Sequence, residues 1–429
     1  MIPIDSSELQ IVAQSFTPQQ RHQFLMNISL SRTSSLSPKR RHSNSSTNSL
    51  ESTVWWRLSN FFVTQVFFGT SSNLFGPYLL LDSGDDNTWV QCDGCNPCFE
   101  VSGGNPRVQD SLTYKLLSPD DPRCVPRYIY DQSCGFLNEY MAGAVSSSGP
   151  MGTDTFLFIN SQTQKPDFIQ DLAFGCGLIN RNINFGQNDG PQNTIAGLFG
   201  LSPGPRSFPN QLDAQIQGKF SFCLTSWAEP NLGRSTMYFG DSAQSQGPNV
   251  QQIPMHARER YHLYFSGISV NGNRLSIDPS ICALTDDDAS KGTGFFVDSG
   301  APTTILPKTA YQALRAAMVD YFAQYGWQTI GGQTFDLCYT ATPKEGQSFP
   351  SVVFHFSKGD QGGEVDWTMD KDNMFVRFDQ IDGFCMVVGE IPDPGPCLLG
   401  AYQLANFKVS FDVKNGIFSF APQRCQENL

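Results

Sequence analysis

Charge is scarce in this chain. Asp, Glu, Lys and Arg make up 16% of its 429 residues, against about 25% in an average soluble protein. Helical bundles and coiled coils need charged, glycine-poor surfaces, so this shortage beside 38 Gly and 27 Pro disfavours both. Positive charge is shorter still: 28 Lys and Arg face 40 Asp and Glu, a net charge of −12. Such a chain repels phosphate backbones, so nucleic acid is not an expected partner. No run of about 18 apolar residues occurs, and a membrane is not an expected partner either. Also missing is a basic stretch followed by about 7–15 apolar residues within Met1–Gln20, the pattern of a secretory leader.

What is there is material for strands. Aromatics make up 12% of the chain, with 34 Phe, and that much apolar substance excludes disorder over most of the length. At roughly 150 residues per domain, the length allows two to three domains. Cysteines stand at 92, 95, 98, 124, 134, 176, 223, 282, 338, 385, 397 and 425. An even count spread over both halves predicts disulfides and an oxidising compartment. Cysteines that ask for secretion without a leader pattern suggest a sequence that starts short of its true N-terminus. Residues 1–53 differ from the rest: they hold no Cys, and Ser dominates from Ser29 to Ser52 around Lys39-Arg40-Arg41. Asn27-Ile28-Ser29 and Asn44-Ser45-Ser46 match the glycosylation sequon. This stretch is expected to be a flexible or removable leader, processed near the basic knot, with the compact part beginning near Val54.

From Val54 onward, short apolar runs alternate with turn signals, the mark of an all-β architecture. Phe407, Val409, Phe411 and Val413 alternate with Lys408, Ser410 and Asp412; Asn415-Gly416 then signals a hairpin turn before a return strand, Ile417–Phe420. A second hairpin is predicted from Tyr261 to Leu275 with Asn271-Gly272 near its tip. One helix is predicted, opened by Pro307, with Tyr311, Leu314, Met318 and Phe322 on one face and Gly326 as its stop.

One pattern occurs twice. LLLDSGDDNTW surrounds Asp82 and FFVDSGAPTTIL surrounds Asp298. Each sets three apolar residues before Asp-Ser-Gly and a polar stretch after it. An isolated Asp-Ser-Gly is ordinarily a turn, with Asp accepting backbone N–H bonds. Two copies in matching frames suggest two related domains, each offering one carboxylate at the end of a buried strand. Facing each other, two such carboxylates cannot both ionise; they share one proton and titrate as a unit. The pair then supplies a general base to deprotonate a water and a general acid for the carbonyl it attacks.

On these motifs the chain resembles the pepsin-type aspartic endopeptidases, in their nepenthesin-like plant branch. NFFVTQVFFGTSS, DSGDDNTWVQC, IAGLFGLSPGPRSFPNQL and STMYFGDSA resemble the first lobe. YHLYFSGISVNGNRLSIDPS, FFVDSGAPTTILP, FDLCYT and CLLGAYQLANFKVSFDVKNGIFSFAPQRC resemble the second. The resemblance implies a bilobal all-β fold of two β-barrel-like lobes, 54–245 and 246–429, with a cleft between them near residues 235–260. It implies a catalytic dyad of Asp82 and Asp298, and active-site loops locked together at Ser83-Gly84 and Ser299-Gly300. It also implies a flap tyrosine, Tyr140, supported by the indole N–H of Trp89. Ile195-Ala196-Gly197 and Leu398-Leu399-Gly400 match the turns that pack behind the catalytic loops. Implied too are a polypeptide substrate bound extended in the cleft, a monomer, no cofactor or metal, and an extracellular or vacuolar location.

The chain departs from that family pattern at three places. Ser or Thr normally follows Asp-Ser/Thr-Gly and hydrogen-bonds the catalytic carboxylate; here Asp85 and Ala301 stand there. Lost hydroxyls and an added negative charge both act to raise the dyad's pKa values, predicting a protease tuned to less acidic pH. After Tyr140 the flap reads Met141-Ala142-Gly143-Ala144, without its usual hydroxyl. These departures keep a second reading open: some plant relatives of this fold have lost proteolysis and inhibit microbial glycoside hydrolases. For Cys92, Cys95 and Cys98, zinc would need a fourth ligand, and disulfides are expected instead. The resemblance pairs Cys338 with Cys385 and Cys223 with Cys425, groups Cys124, Cys134 and Cys176 among the disulfide candidates, and leaves Cys282 and Cys397 either paired or free. Asp286-Asp287-Asp288 lacks calcium-loop spacing and is expected to be a solvated loop. His256 and His262 are assigned no role.

Overall fold

The computed structural model describes residues 49–425 apart from 58–60, 71–72, 126–127, 141–142, 186–189, 227–233, 285–293, 331–334, 341–343, 345–346, 360–361 and 379–382. The leader with its two sequons, and the Asp286–Asp288 run, lie outside the described residues. Strands dominate, and the architecture is the expected all-β one.

Six antiparallel strands form a floor shared by both halves of the chain. Their order is Ser49–Arg57, Arg234–Gly240, Lys219–Cys223, Phe407–Asp412, Ile417–Pro422 and Gln251–Ala257, three from each half. The join is Lys219–Cys223 against Phe407–Asp412, where Phe220 stacks on Phe411 with ring centroids 4.5 Å apart. Both strands put their Phe residues on the buried face, so the alternation read in the sequence is what closes the seam. The hairpin turn falls as predicted: Asp412 stands opposite Ile417, and Gly416 takes the left-handed backbone, φ 62°, that favours glycine.

The first strand corrects the leader boundary. Ser49–Thr53 pair with Thr236–Gly240, and Leu50 is buried in the core, so these residues belong to the sheet. Serine-rich composition hid an ordinary strand. The hairpin from Tyr261 to Leu275 is also smaller than predicted. Asn271 and Gly272 both turn at positive φ, but only Ser269–Arg274 and Val270–Asn273 pair across them. The strand Phe265–Val270 spends its other edge on Val352–Ser357, while Tyr261–Leu263 joins a different sheet. The helix runs Lys308–Ala323 behind Pro307 and buries Ala310, Tyr311, Leu314, Met318 and Phe322. That is the face predicted, and Gly326 follows at φ 70°.

The six disulfides are Cys92–Cys176, Cys95–Cys98, Cys124–Cys134, Cys223–Cys425, Cys282–Cys397 and Cys338–Cys385. Cys223–Cys425 ties the central seam to the C-terminus. Cys95 and Cys98 close on each other, and Cys282 and Cys397 form a pair. Among the described residues no free cysteine is left.

Candidate active site

The strands Tyr78–Asp82 and Phe295–Val297 carry the two Asp-Ser-Gly turns. Each lies inside its sheet, parallel to Ile195–Gly200 in the first half and to Cys397–Leu399 in the second. Strands covered on both faces need a continuous apolar run rather than an alternation, which is what Leu79–Leu81 and Phe295–Val297 provide. Each polar turn then begins where the buried strand stops.

The two turns repeat one set of bonds. Gly84 N–H donates to Asp82 Oδ1 at 2.7 Å, and Gly300 N–H donates to Asp298 Oδ1 at 2.9 Å. Ser83 Oγ accepts from Ser299 N–H (3.0 Å) and donates to the Val297 carbonyl (3.1 Å). Ser299 Oγ returns both, accepting from Ser83 N–H (3.1 Å) and donating to the Leu81 carbonyl (2.8 Å). Four buried bonds thus lock the halves together beside the two carboxylates. The glycines are demanded by space: a Cβ on Gly84 would stand 2.7 Å from Asp298 Oδ2, and one on Gly300 would stand 2.5 Å from Asp82 Oδ2. Each carboxylate therefore packs against the other half's glycine.

Behind each turn the same device recurs. Gly200 N–H donates to Thr88 Oγ1 (2.9 Å), and Gly400 N–H donates to Thr304 Oγ1 (3.0 Å). This corrects the frame of one motif. The counterpart of Leu398-Leu399-Gly400 is Leu198-Phe199-Gly200, with Phe199 opposite Leu81 as Leu399 is opposite Val297. Ile195-Ala196-Gly197 has the same composition three residues earlier, and the strand register and the threonine hydroxyl tell the two apart.

Tyr140 ends the strand Ser133–Tyr140, whose hairpin partner starts at Val145; Met141 and Ala142 lie outside the described residues. Trp89 Nε1–H donates to Tyr140 Oη at 3.0 Å. Tyr140 O–H in turn donates to Asp85 Oδ2 at 3.1 Å, and Asn138 Nδ2–H donates to the same oxygen at 2.5 Å. Asp85, which replaces the usual hydroxyl residue, thereby becomes the anchor of the tyrosine. Its neighbour Asp86 is held by Arg206 through two nitrogens, at 2.9 and 3.3 Å. Sequence reading missed Asn138, Arg206, Thr88 and Thr304, which reach their partners only through the fold.

The electrostatics follow the geometry. Burial pushes the Asp82 carboxyl well above its ordinary value, and the charges of Asp298 and Asp85 push the same way, against the Gly84 amide. Asp298 is raised less, again by burial, because Arg260 and the Ala301 and Gly300 amides favour its charged form. The Ala301 N–H donates to Asp298 Oδ1 at 3.2 Å, so backbone supplies part of what the missing hydroxyl would have given. Asp85 rises to about 6, mainly through burial. Burial, helped by Arg260, His256 and Arg258, pulls His262 down to about 4.

Among the described residues, one group of side chains has metal-ligand spacing: His355, Glu364 and Asp366. Their donor atoms are already spent. His355 bonds Ser269 Oγ and Asp366 Oδ1, each at 2.7 Å, and Arg274 holds both oxygens of Glu364 at 2.9 Å. The group reads as a polar network on the outward face of its sheet.

Two halves of one design, each bringing a buried strand to an Asp-Ser-Gly turn against the other, define the pepsin-like aspartic protease family, and the chain belongs to it. Its matches are to the nepenthesin-like plant members. It is 30% identical over 387 residues to aspartic proteinase nepenthesin-1 of Nepenthes gracilis, covering 85% of this chain and 78% of that protein. It is 28% identical over 366 residues to the protein aspartic protease in guard cell 2 of Arabidopsis thaliana, covering 84% and 72%. The family models matched are xylanase inhibitor N-terminal, over residues 62–241, and xylanase inhibitor C-terminal, over 260–422. Basic 7S globulin from soybean shares the fold, with a TM-score of 0.68 at 18% identity over 88% of this chain and 97% of that one.

Proposed function

We propose that the chain is an aspartic endopeptidase that hydrolyses extended polypeptides at acidic pH. The observation that carries this is the dyad itself: two carboxylates, each bonded by its own turn amides and set against the other half's glycine, in loops locked by four buried bonds. Such a pair holds a single proton over the acidic range. The ionised member takes a proton from a water between them, and the protonated member hydrogen-bonds the carbonyl oxygen as the water attacks. The protonated member passes its proton to the carbonyl oxygen to give a gem-diol. This collapses as the first carboxyl returns its proton to the amide nitrogen, the C–N bond breaks, and the second carboxylate takes a proton back from a gem-diol hydroxyl. Tyr140, fixed by Trp89 and Asp85, shapes the wall that closes over the chain being cut. Both halves come from one polypeptide, so a monomer suffices. Six disulfides support an extracellular or vacuolar setting.

A second reading has specific support. Asp85 and Ala301 follow the two catalytic turns, the flap sequence lacks its usual hydroxyl, and the matched family models carry the name of xylanase inhibitors. On this reading the same fold is a protein-binding module directed at a glycoside hydrolase. Hydrolysis of a denatured protein substrate separates the two. Activity abolished by Asp82→Asn, by Asp298→Asn and by pepstatin supports the enzyme. A folded protein inert from strongly acidic to neutral pH would sink it and turn attention to capture of glycoside hydrolases.

A further inference from the structure

Arg260 stands over Phe296, two residues before Asp298, with no ion-pair partner among the described residues. It immediately precedes the strand Tyr261–Leu263, which pairs with Phe295–Val297 so that His262 lies opposite Phe296. The Arg260 guanidinium rests over the Phe296 ring, 4.6 Å from its centroid. Side chains two residues apart along an extended chain point the same way, so Phe296 shares its side with Asp298. The cation is thus posted on the reactive side of that strand, two residues from the carboxylate. Its charge is felt there: of the influences that lower Asp298, Arg260 is the largest. The ring contact pins a long side chain before anything binds, which reduces the ordering cost of a new salt bridge.

Arg258 belongs to the same hairpin, with Glu259 between the two arginines, in a chain whose net charge is −12. A half-buried guanidinium offers a planar fork that matches a carboxylate bidentately. We propose that Arg260 is a specificity residue that recruits a substrate carboxylate to the Asp298 side of the scissile bond. The carboxylate comes from an Asp or Glu side chain, or from the C-terminus of a short peptide. This assignment rests on the endopeptidase reading and narrows its substrate class to acidic sequences.

The test uses the full chain and a peptide series in which one Glu is walked through the positions flanking a fixed scissile bond. Each peptide has a Gln twin, and each is made with a free and with an amidated C-terminus. Assays run at a pH above the ordinary glutamate value. At one position Glu should be favoured over Gln about five- to tenfold in kcat/KM, mostly through KM. Arg260→Gln should level the pair, and Arg260→Glu should favour Lys there instead, with thermal midpoints reporting that both variants fold. If amidation rather than Gln removes the preference, the terminal carboxylate is the ligand. Arg260→Gln slowing Glu and Gln peptides equally would overturn the proposal, because the residue would then act only through Asp298. If no peptide is cut, binding of the same peptides is measured by fluorescence anisotropy. Glu-selective binding lost in Arg260→Gln would keep the assignment while refuting the protease, and unselective or absent binding would overturn it.

Discussion

Ser299→Ala tests the lock that holds the dyad. Ser299 is 1% exposed and its hydroxyl makes two bonds, to the Leu81 carbonyl at 2.8 Å and from the Ser83 N–H at 3.1 Å. Alanine removes both, and water does not reach the site to replace them. A buried polar group stripped of its partner costs about 1–3 kcal/mol, so the substitution should cost about 2–5 kcal/mol. Ser83 uses a separate pair of bonds, to Val297 and from Ser299 N–H. Ser83→Ala should cost a similar amount, and because the two serines bond each other directly the double variant should depart from the sum. Denaturant unfolding in an Asp82→Asn background, which prevents self-digestion, gives these values directly. Threonine at either position keeps the hydroxyl and should stay close to the parent. Ser299→Ala within about 0.5 kcal/mol of the parent would refute the reasoning, because the bonds would then carry no more than an average surface contact.

Gly300→Ala places a methyl group 2.5 Å from Asp82 Oδ2; displacing that carboxylate by about an ångström should cost on the order of a hundredfold in kcat, and a loss under threefold would contradict it. Trp89→Phe removes the donor to Tyr140, a bond worth about 1 kcal/mol, so kcat/KM should fall about fivefold with the fold intact by circular dichroism. Asp85 is held near 6 in the fold against 3.8 in the unfolded chain, among Asp82, Asp86, Arg206 and Tyr140. Its folded value is raised, so the stability it adds is full below 3.8 and is lost as pH rises through 6. That loss is at most about 3 kcal/mol, trimmed by solvent at its partly exposed edge. Asp85→Asn should therefore flatten the decline in unfolding free energy between acidic and neutral pH, and an unchanged slope would count against the assignment.

The parts of this molecule legible in its sequence are those whose partners are repeated or local. Asp82 and Asp298 announce themselves because the chain frames each with the same apolar run. The hairpin at Asn415-Gly416 and the helix after Pro307 are read from residues within a turn or two of each other. What escapes is set by register between distant strands. Arg260 comes to lie over Phe296, near Asp298, only because Tyr261–Leu263 pairs with Phe295–Val297. Arg206 finds Asp86 across 120 residues. Leu198-Phe199-Gly200 and Ile195-Ala196-Gly197 are alike in composition, so the strand register and the Thr88 hydroxyl at the Gly200 amide decide between them. Ser49–Thr53 look like leader because their burial depends on Arg234–Gly240, which no local pattern names.

The charged neighbours of the dyad also act together. Once ionised above about pH 6, Asp85 adds negative charge beside Asp82, while the Arg260 charge favours the ionised form of Asp298. A pair that shares one proton leaves it on the member whose charged form is less favoured. Above about pH 6 both neighbours act in the same direction, favouring the proton on Asp82 and the charged form of Asp298, and at more acidic pH Arg260 does so without Asp85. With a hydroxyl residue in place of Asp85 and no cation at 260, burial and the turn amides would still distinguish the two. Asp298 receives two of these and Asp82 one. All three influences thus point one way, so removing any single charge should weaken the asymmetry without reversing it. Arg260→Gln and Asp85→Asn combined should bring the two carboxylates closest to equivalence.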